Sequence, residues 1–288
     1  MIPTEQVPGL YHQRIGQAVV TAVNDGNGLF NLANLCGITP DDATAQLRGL
    51  GRSEPLLANL NTYLVREAGR TLLIDTGVGT LWTPATGRMM VNLAIAEVGP
   101  GDIDAILLTH MHIDHVGGLT DASGAAQFPR ATLMVQEHEA AFWLDGDIPA
   151  DAPAPLRQAK ELARRMVAPY AGRLHRFKGA PLPGVEAMPL PGHTIGHTGY
   201  RFGTGADQLL IWGDICHMPD VQIAHPEIGV VFDADPAMAI ATRRAVFKFV
   251  ATERIMVAGM HMNFPGFMHL VAGAAGYVAR PVVWAPLG

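Results

Sequence analysis

The chain has 288 residues, 49% of them hydrophobic and 16% charged, with a formal net charge of −6. That composition is too apolar for disorder and ample for a large core, and an acidic balance without a basic cluster argues against nucleic acid as a partner. The two cysteines, Cys36 and Cys216, lie far apart, which argues against a disulfide framework and fits a reducing compartment.

The first nine residues show neither the basic nor the apolar region of a secretory signal. No run of about 18 apolar residues is present, so no membrane partner is expected. The expected location is the cytoplasm. No internal repeat, low-complexity tract or linker interrupts residues 1–288, which are expected to form one domain.

Residues 11–23 predict a first strand, closed by Asn24-Asp25-Gly26-Asn27-Gly28, a strong turn signal. Residues 29–58, with Pro40 and Pro55, read as a short helix and loops that cover an active site. Residues 60–66 and 71–74 predict a strand pair, the second running into Asp75-Thr76-Gly77. A carboxylate at the end of a buried strand needs partners. Asp75 therefore either orients a metal-bound histidine or caps a turn. Residues 88–98 have helical character and stop before Gly99-Pro100-Gly101.

The apolar run 103–108 suits a buried strand. It leads into Thr109-His110-Met111-His112-Ile113-Asp114-His115, with Gly117 and Gly118 just beyond. In extended backbone, residues i and i+2 point the same way, so His110 and His112 can grip one metal ion. Asp114 and His115 lie past a turn and can reach a second. Imidazole and carboxylate donors suit zinc and similar cations.

Residues 131–135 predict another buried strand, and 136–144 a helix carrying Phe142 and Trp143, read as either core or substrate wall. A proline-rich loop at 149–155 precedes an amphipathic helix at 156–168. In the second half, strands 185–190, 208–212 and 254–259 deliver His193, Asp214 and His261. Each ligand-type residue has glycine close by, which permits tight turns. Asp233-Ala234-Asp235-Pro236 is a start signal for a helix at 236–250.

Taken together, these motifs resemble the metallo-β-lactamase superfamily. The pieces match in order: Asp75-Thr76-Gly77, the His110/His112/Asp114/His115 signature, His193, Asp214 and His261. Other stretches resemble methyl parathion hydrolase and related lactonases. They include Gly196-His197-Thr198, Gly213-Asp214-Ile215-Cys216-His217, residues 221–235 and residues 261–269. The chain departs from those relatives at Ile113, where proline is common, and over residues 150–165, which bears on substrate identity.

The resemblance implies an αββα sandwich of the α+β class, with a dinuclear metal site at the edge of the two sheets. One metal would be held by His110, His112 and His193, the other by Asp114, His115 and His261, with Asp214 bridging. Zinc is the first expectation; manganese, cobalt and iron accept the same donors. A homodimer is also implied.

A water between two such cations is a hydroxide near neutral pH. It attacks a carbonyl carbon or phosphorus while a metal takes the developing charge. The expected function is opening of lactones or cleavage of esters, with promiscuous organophosphate triester hydrolysis. Asp214 and Asp114 are the catalytic candidates, Asp114 as carrier of the leaving-group proton. No serine or cysteine nucleophile is required, and Cys216 reads as a buried small residue or a catalyst.

His197 is expected to orient the loop after His193. Phe142, Trp143, His217 and Phe264 are expected around a small-molecule pocket. His225 and His269 lie near the metal edge, while His12, His138 and His175 read as surface or packing residues. The competing reading is an iron-dependent oxidoreductase of the same fold, similar to sulfur dioxygenases. A nucleic-acid processing relative, a β-lactamase and a non-catalytic metal-binding module are less favoured.

Overall fold

The structure is a computed structural model that describes residues 2–3, 6–52, 54–149 and 151–287. Ser53 of the predicted covering segment and Ala150 of the predicted proline-rich loop lie outside the described residues, as do Met1, Thr4 and Glu5 at the N-terminus and Gly288.

The strands in chain order are β1 (Leu10–Ile15), β2 (Ala18–Leu29), β3 (Leu35–Cys36), β4 (Leu57–Glu67), β5 (Arg70–Ile74), β6 (Ala105–Leu107), β7 (Thr132–Gln136) and β8 (Leu174–Phe177). They continue with β9 (Glu186–Pro189), β10 (Thr198–Thr204), β11 (Asp207–Ile211), β12 (Gly229–Val230), β13 (Met256–Ala258), β14 (Met268–Ala272) and β15 (Tyr277–Pro281). The helices are α1 (Pro40–Gly49), α2 (Met89–Ile95), α3 (Ile113–Val116), α4 (Glu137–Leu144), α5 (Ala154–Val167), α6 (Pro219–Gln222) and α7 (Pro236–Glu253).

One sheet runs β1-β2-β4-β5-β6-β7-β8 and the other β15-β14-β13-β11-β10-β9; β3 and β12 pair apart from both. Strand side chains alternate between faces, and here both faces are covered. Tyr63, Val65, Leu72, Ile74 and Leu107 meet Tyr200, Phe202, Leu209 and Ile211 between the sheets. Their alternates Leu64, Leu73 and Ile106 pack with Leu93, Trp143 and Met166 from the helices. On the far side of the second sheet, Leu210 and Val257 meet Val246, Phe247 and Val250 of α7. The result is the αββα order. It also explains why the central strands read as continuous apolar runs rather than alternating ones.

The predicted strand 11–23 is two strands, and the turn expected at 24–28 lies inside β2. The true hairpin turn is at Gly16, whose φ is +56°. At Asn24–Gly26 the pairing with β4 shifts register in a bulge. Asp25 is thereby buried and accepts N–H bonds from Val78 and Met89. At Gly26, φ is +122° and a Cβ would sit 2.1 Å from the Ala85 carbonyl oxygen. The turn-like residues thus hold down the loop after β5 instead of reversing the chain.

Residues 29–58 include α1 and pack through Leu32, Leu35, Ala43, Leu47 and Leu56 against Met218, Val221, Ile228 and Val230. The segment forms a satellite core beside the edge that carries His217. Ile113 is the first residue of α3. Proline fits that helical position equally well, so the difference from the expected motif costs the fold nothing. Residues 150–165 overlap α5, which packs with α3 and α4. Arg164 there donates to the carbonyls of Trp143, Asp145 and Gly146. Through Arg164 that stretch buttresses the end of α4. Among the described residues, no helix is long and apolar enough to cross a membrane.

The parallel pairs β5–β6 and β11–β13 end at one edge of the sandwich. Asp75 follows β5, His110 follows β6, Asp214 follows β11 and His261 follows β13. Strand ends are where open α/β sheets place their chemistry.

Candidate metal centre

His110 and His112 leave β6 in extended backbone, and His193 comes from the loop after β9. Their ring nitrogens converge: His110 Nε2 to His112 Nδ1 is 3.0 Å, and His112 Nδ1 to His193 Nε2 is 3.0 Å. A zinc ion with nitrogen ligands at tetrahedral angles needs an N···N edge of roughly 3.3 Å. The donor spacing fits a metal ion.

Asp114 and His115 sit in the single turn of α3, facing Asp214 and His261. His261 Nε2 is 3.3 Å from Asp114 Oδ2 and 3.1 Å from Asp214 Oδ2; His115 Nε2 is 3.2 Å from Asp214 Oδ2. Those four residues form a second group that could hold a metal ion. Asp214 Oδ2 also lies 3.5 Å from His193 Nε2 and 3.7 Å from His110 Nε2, so it stands between the two groups. The other oxygen, Oδ1, is buried and has no hydrogen-bond partner among the described residues. An unpaired buried carboxylate oxygen is expensive. Its position is understandable if the residues hold a cation.

Behind the nitrogens stand three carboxylates. Asp75 Oδ2 is 2.7 Å from His115 Nδ1, and Asp75 also accepts from the Thr109 N–H and hydroxyl. Of the two readings of Asp75, the histidine-orienting one matches this geometry. Asp233 Oδ1 is 2.9 Å from His193 Nδ1, and Arg243 Nη2 lies 3.8 Å from Asp233 Oδ2. Arg243, buried in α7, donates to the carbonyls of Ile215, Pro226 and Ile228. The third is Glu139, buried on α4, which accepts from Met111, Trp143, Thr194 and Gly196.

Sequence reasoning missed Glu139 and Arg243 and saw Asp233 as part of a helix start and of a stretch resembling related hydrolases, with no role of its own. The signal for Glu139 was a charged residue on the apolar face of a helix, four residues before Trp143, where unpaired charge is almost never buried. His197 receives the Asp214 N–H on Nε2, while its Nδ1 lies 2.9 Å from the Leu190 carbonyl oxygen, so it ties the His193 loop to Asp214.

Trp143 is buried, with its indole N–H on Glu139 and its ring edge-on to His112 at 5.6 Å. It supports His112 from within the core, which is the core alternative of its two readings. Phe142 lies under the Lys160 ammonium at 4.0 Å, and Phe264 packs on the inter-sheet core. His217 reaches the centre, with Nε2 3.2 Å from Asp214 Oδ2. His225 instead pairs with Glu227, and His269 lies on β14 opposite Arg280. His138 and His175 are on the surface, and His12, also exposed, bonds Thr21. Cys216 is buried and its thiol is pushed up to about 12 by burial, which excludes a thiolate nucleophile near neutral pH.

The two groups differ in charge state. Burial pushes His110 and His193 well below the ordinary imidazole value and His112 down to about 4. Burial also opposes charge on His115 and His261. There, however, the facing carboxylates of Asp214, Asp75 and Asp114 outweigh it, raising His115 well above its usual value and His261 to about 10. Without metal near pH 7, the three-histidine group is neutral and the second group holds two imidazolium–carboxylate contacts. Their stabilising effect is fully present below about 6.5 and is lost as pH rises toward 10.

Ligation needs neutral imidazole. Zinc uptake by a His193→Ala variant, which keeps the second group, should therefore release about two protons at pH 7. A His261→Ala variant should release close to none. Proton release in weakly buffered solution measures both, and equal release would contradict the charge assignment.

The metallo-beta-lactamase superfamily profile matches residues 58–254. The uncharacterized protein YobT of Bacillus subtilis is 30% identical over 177 residues, 60% of this chain and 71% of that one. A crystal structure titled hydrolase AbOPH in the beta lactamase superfamily superposes with a TM-score of 0.92 at 30% identity, covering 98% of this chain and all (100%) of that one. AidC, titled a dizinc quorum-quenching lactonase in complex with its product, superposes at 0.90 and 23% identity with the same coverage, a likeness of fold.

Proposed function

The chain belongs to the metallo-beta-lactamase superfamily, and from that premise we propose that it is a dinuclear hydrolase that opens lactones or cleaves esters, with organophosphate triesters as a side activity. The observation that carries this reading is Asp214 Oδ2, which lies within 3.1–3.7 Å of imidazole nitrogens from both groups. His110, His112 and His193 would hold one cation, Asp114, His115 and His261 the other, and Asp214 both. Two divalent cations, zinc first and manganese, cobalt or iron by the same donor chemistry, would supply Lewis acidity and activated water.

The chain's own groups do the rest. Asp75 and Asp233 keep the Nδ1 proton on His115 and His193, leaving each Nε2 lone pair free to ligate. Burial opposes ionisation of Asp114, but His115 and His261 outweigh it and hold the carboxylate below its usual range. Ligation requires those imidazoles to be neutral, which removes the charge that holds Asp114 low and lets it accept a proton and return it to a leaving oxygen. His217, its ring stacked on His261 at 5.0 Å and tilted against Phe232 at 6.2 Å, is the candidate hydrogen-bond donor to a substrate oxygen.

Exposed apolar residues flank the site. Ile195 is exposed two residues past His193, and exposed Phe232 has its ring 6.2 Å from that of His217, with exposed Val231 next to it in the chain. Exposed Leu29 and Leu57 pair at the ends of β2 and β4, exposed Trp82 lies against Gly28, and the Asn59 carbonyl oxygen, two residues past Leu57, is 3.1 Å from His261 Nδ1. A small substrate with an apolar substituent suits that rim, and the fold shared with a lactonase supports the lactone among such substrates.

The test pairs metal content of the purified protein with turnover of lactones, aryl esters and phosphotriesters. Two zinc-like ions per chain with lactone opening is the expected result. One iron per chain, with oxygen uptake on a persulfide and no lactone opening, would replace this reading with the iron oxidoreductase. His217→Ala should lower kcat about a hundredfold or more with metal content unchanged. Loss of a metal equivalent would instead move His217 into the ligand set.

A further inference from the structure

We infer that Glu139 is a positioning residue that sets how tightly the three-histidine group holds a metal ion, while leaving the Asp114–His115–His261 group largely unaffected. The inference rests on the two-cation reading above. Glu139 touches no ligand side chain, yet it reaches both segments that deliver the three histidines. Oε1 accepts the Met111 N–H at 2.9 Å, between His110 and His112, and the Trp143 indole N–H at 2.6 Å. Oε2 accepts the Thr194 hydroxyl at 2.7 Å and the Gly196 N–H at 2.9 Å, just past His193. Trp143, held by Oε1, in turn packs edge-on against His112.

A single buried carboxylate therefore joins segments 82 positions apart in the chain, from Met111 to His193. The fit is close. At Gly196, a Cβ would meet the Glu139 backbone nitrogen at 2.3 Å, so the His193 loop lies directly on the start of α4. The second group is oriented by other partners, His115 by Asp75 and His261 by the Asn59 carbonyl. Among the described residues, nothing links Glu139 directly to either.

All four partners are donors, which only a carboxylate satisfies in full. A glutamine in its place must turn its NH2 toward one pair. The Thr194 hydroxyl can rotate to accept from it, but the Gly196 N–H is then orphaned and the loop behind His193 loosens. Groups that orient metal ligands typically influence affinity by about 10–100-fold.

The experiment measures zinc affinity by competition with a chromophoric chelator in two backgrounds. In His261→Ala, which keeps the three-histidine group, Glu139→Gln should weaken zinc binding about 10–100-fold. In His193→Ala, which keeps the second group, the change should stay within about twofold. Thr194→Val removes one donor and leaves the carboxylate, and should give a smaller loss in the first background only. It carries the test if Glu139→Gln does not fold. Equal losses in both backgrounds, or none in the first, would overturn the inference while the two-cation reading stands. If neither parent background binds zinc, that reading falls and takes the inference with it.

Discussion

Replacing Asp214 with alanine should lower hydrolysis by at least about a thousandfold and cost at least one metal equivalent, while the apo fold survives. Its Oδ2 lies within 3.7 Å of His110, His115, His193, His217 and His261. Burial opposes its ionisation, but the facing histidines, His115 and His261 foremost, hold it well below the ordinary carboxylate value. Removing it leaves imidazoles clustered without their shared anion, so neither group keeps its charge balance. Asp214→Asn separates charge from shape. It keeps one oxygen but brings an NH2 toward nitrogens that must present lone pairs, and it should fail nearly as badly. Retained activity with two metals bound would remove Asp214 from the bridging position.

Asp75→Asn should be the next most damaging change, although Asp75 touches only His115 among the proposed ligands. The carboxylate accepts three hydrogen bonds, from His115 Nδ1 and from the Thr109 N–H and hydroxyl. An asparagine oxygen can still accept from the Thr109 N–H, which leaves the NH2 pointing at His115 Nδ1. The imidazole must then carry its proton on Nε2, the atom facing Asp114 and Asp214, where a metal needs a lone pair. Zinc affinity of the second group should fall about 10–100-fold. Activity should fall by at least as much, and adding zinc should restore part of it. The Asp75 backbone has a φ of +57°, which asparagine tolerates better than most residues. A fold defect is therefore a poor explanation for the loss. Unchanged zinc affinity would return Asp75 to a turn-capping role.

The two substitutions probe parts of the centre that differ in how readily the chain discloses them. The residues proposed to touch metal were legible because their chemistry is local: His110, His112, Asp114 and His115 fall within six positions. Each of the others follows an apolar run and has glycine nearby. Of the groups that orient them, Asp75 and His197 were legible because they adjoin the signature stretches, whereas Glu139 and Arg243 were not. Both sit inside helices, Arg243 in a context that looks like ordinary amphipathic surface and Glu139 on an apolar face that by itself names no partner. They become significant only because α4 and α7 press those faces against the ligand loops. Trp143 was left between two readings for the same reason. An aromatic residue near a metal signature suits a pocket wall or the core equally well until the partner of its indole N–H is known. Asp25 and Gly26 carried a turn signal that was locally correct, but β4 and the 77–89 loop drew that stretch into a bulged strand.

What the sequence determined by itself is the donor chemistry and the layer pattern. Ligand-type residues at strand ends, and apolar strands buried on both faces, follow from side-chain type and period alone. What only the tertiary structure decided is which of those residues share a point in space. His193 and Asp214 reach His110 because strands of two sheets end at one edge. Asp233 reaches His193, and Glu139 the loop behind it, because helices pack there. Residue type and period act over a few residues of chain, whereas such contacts join segments tens of residues apart. They form only when burial of the three main cores brings the layers together.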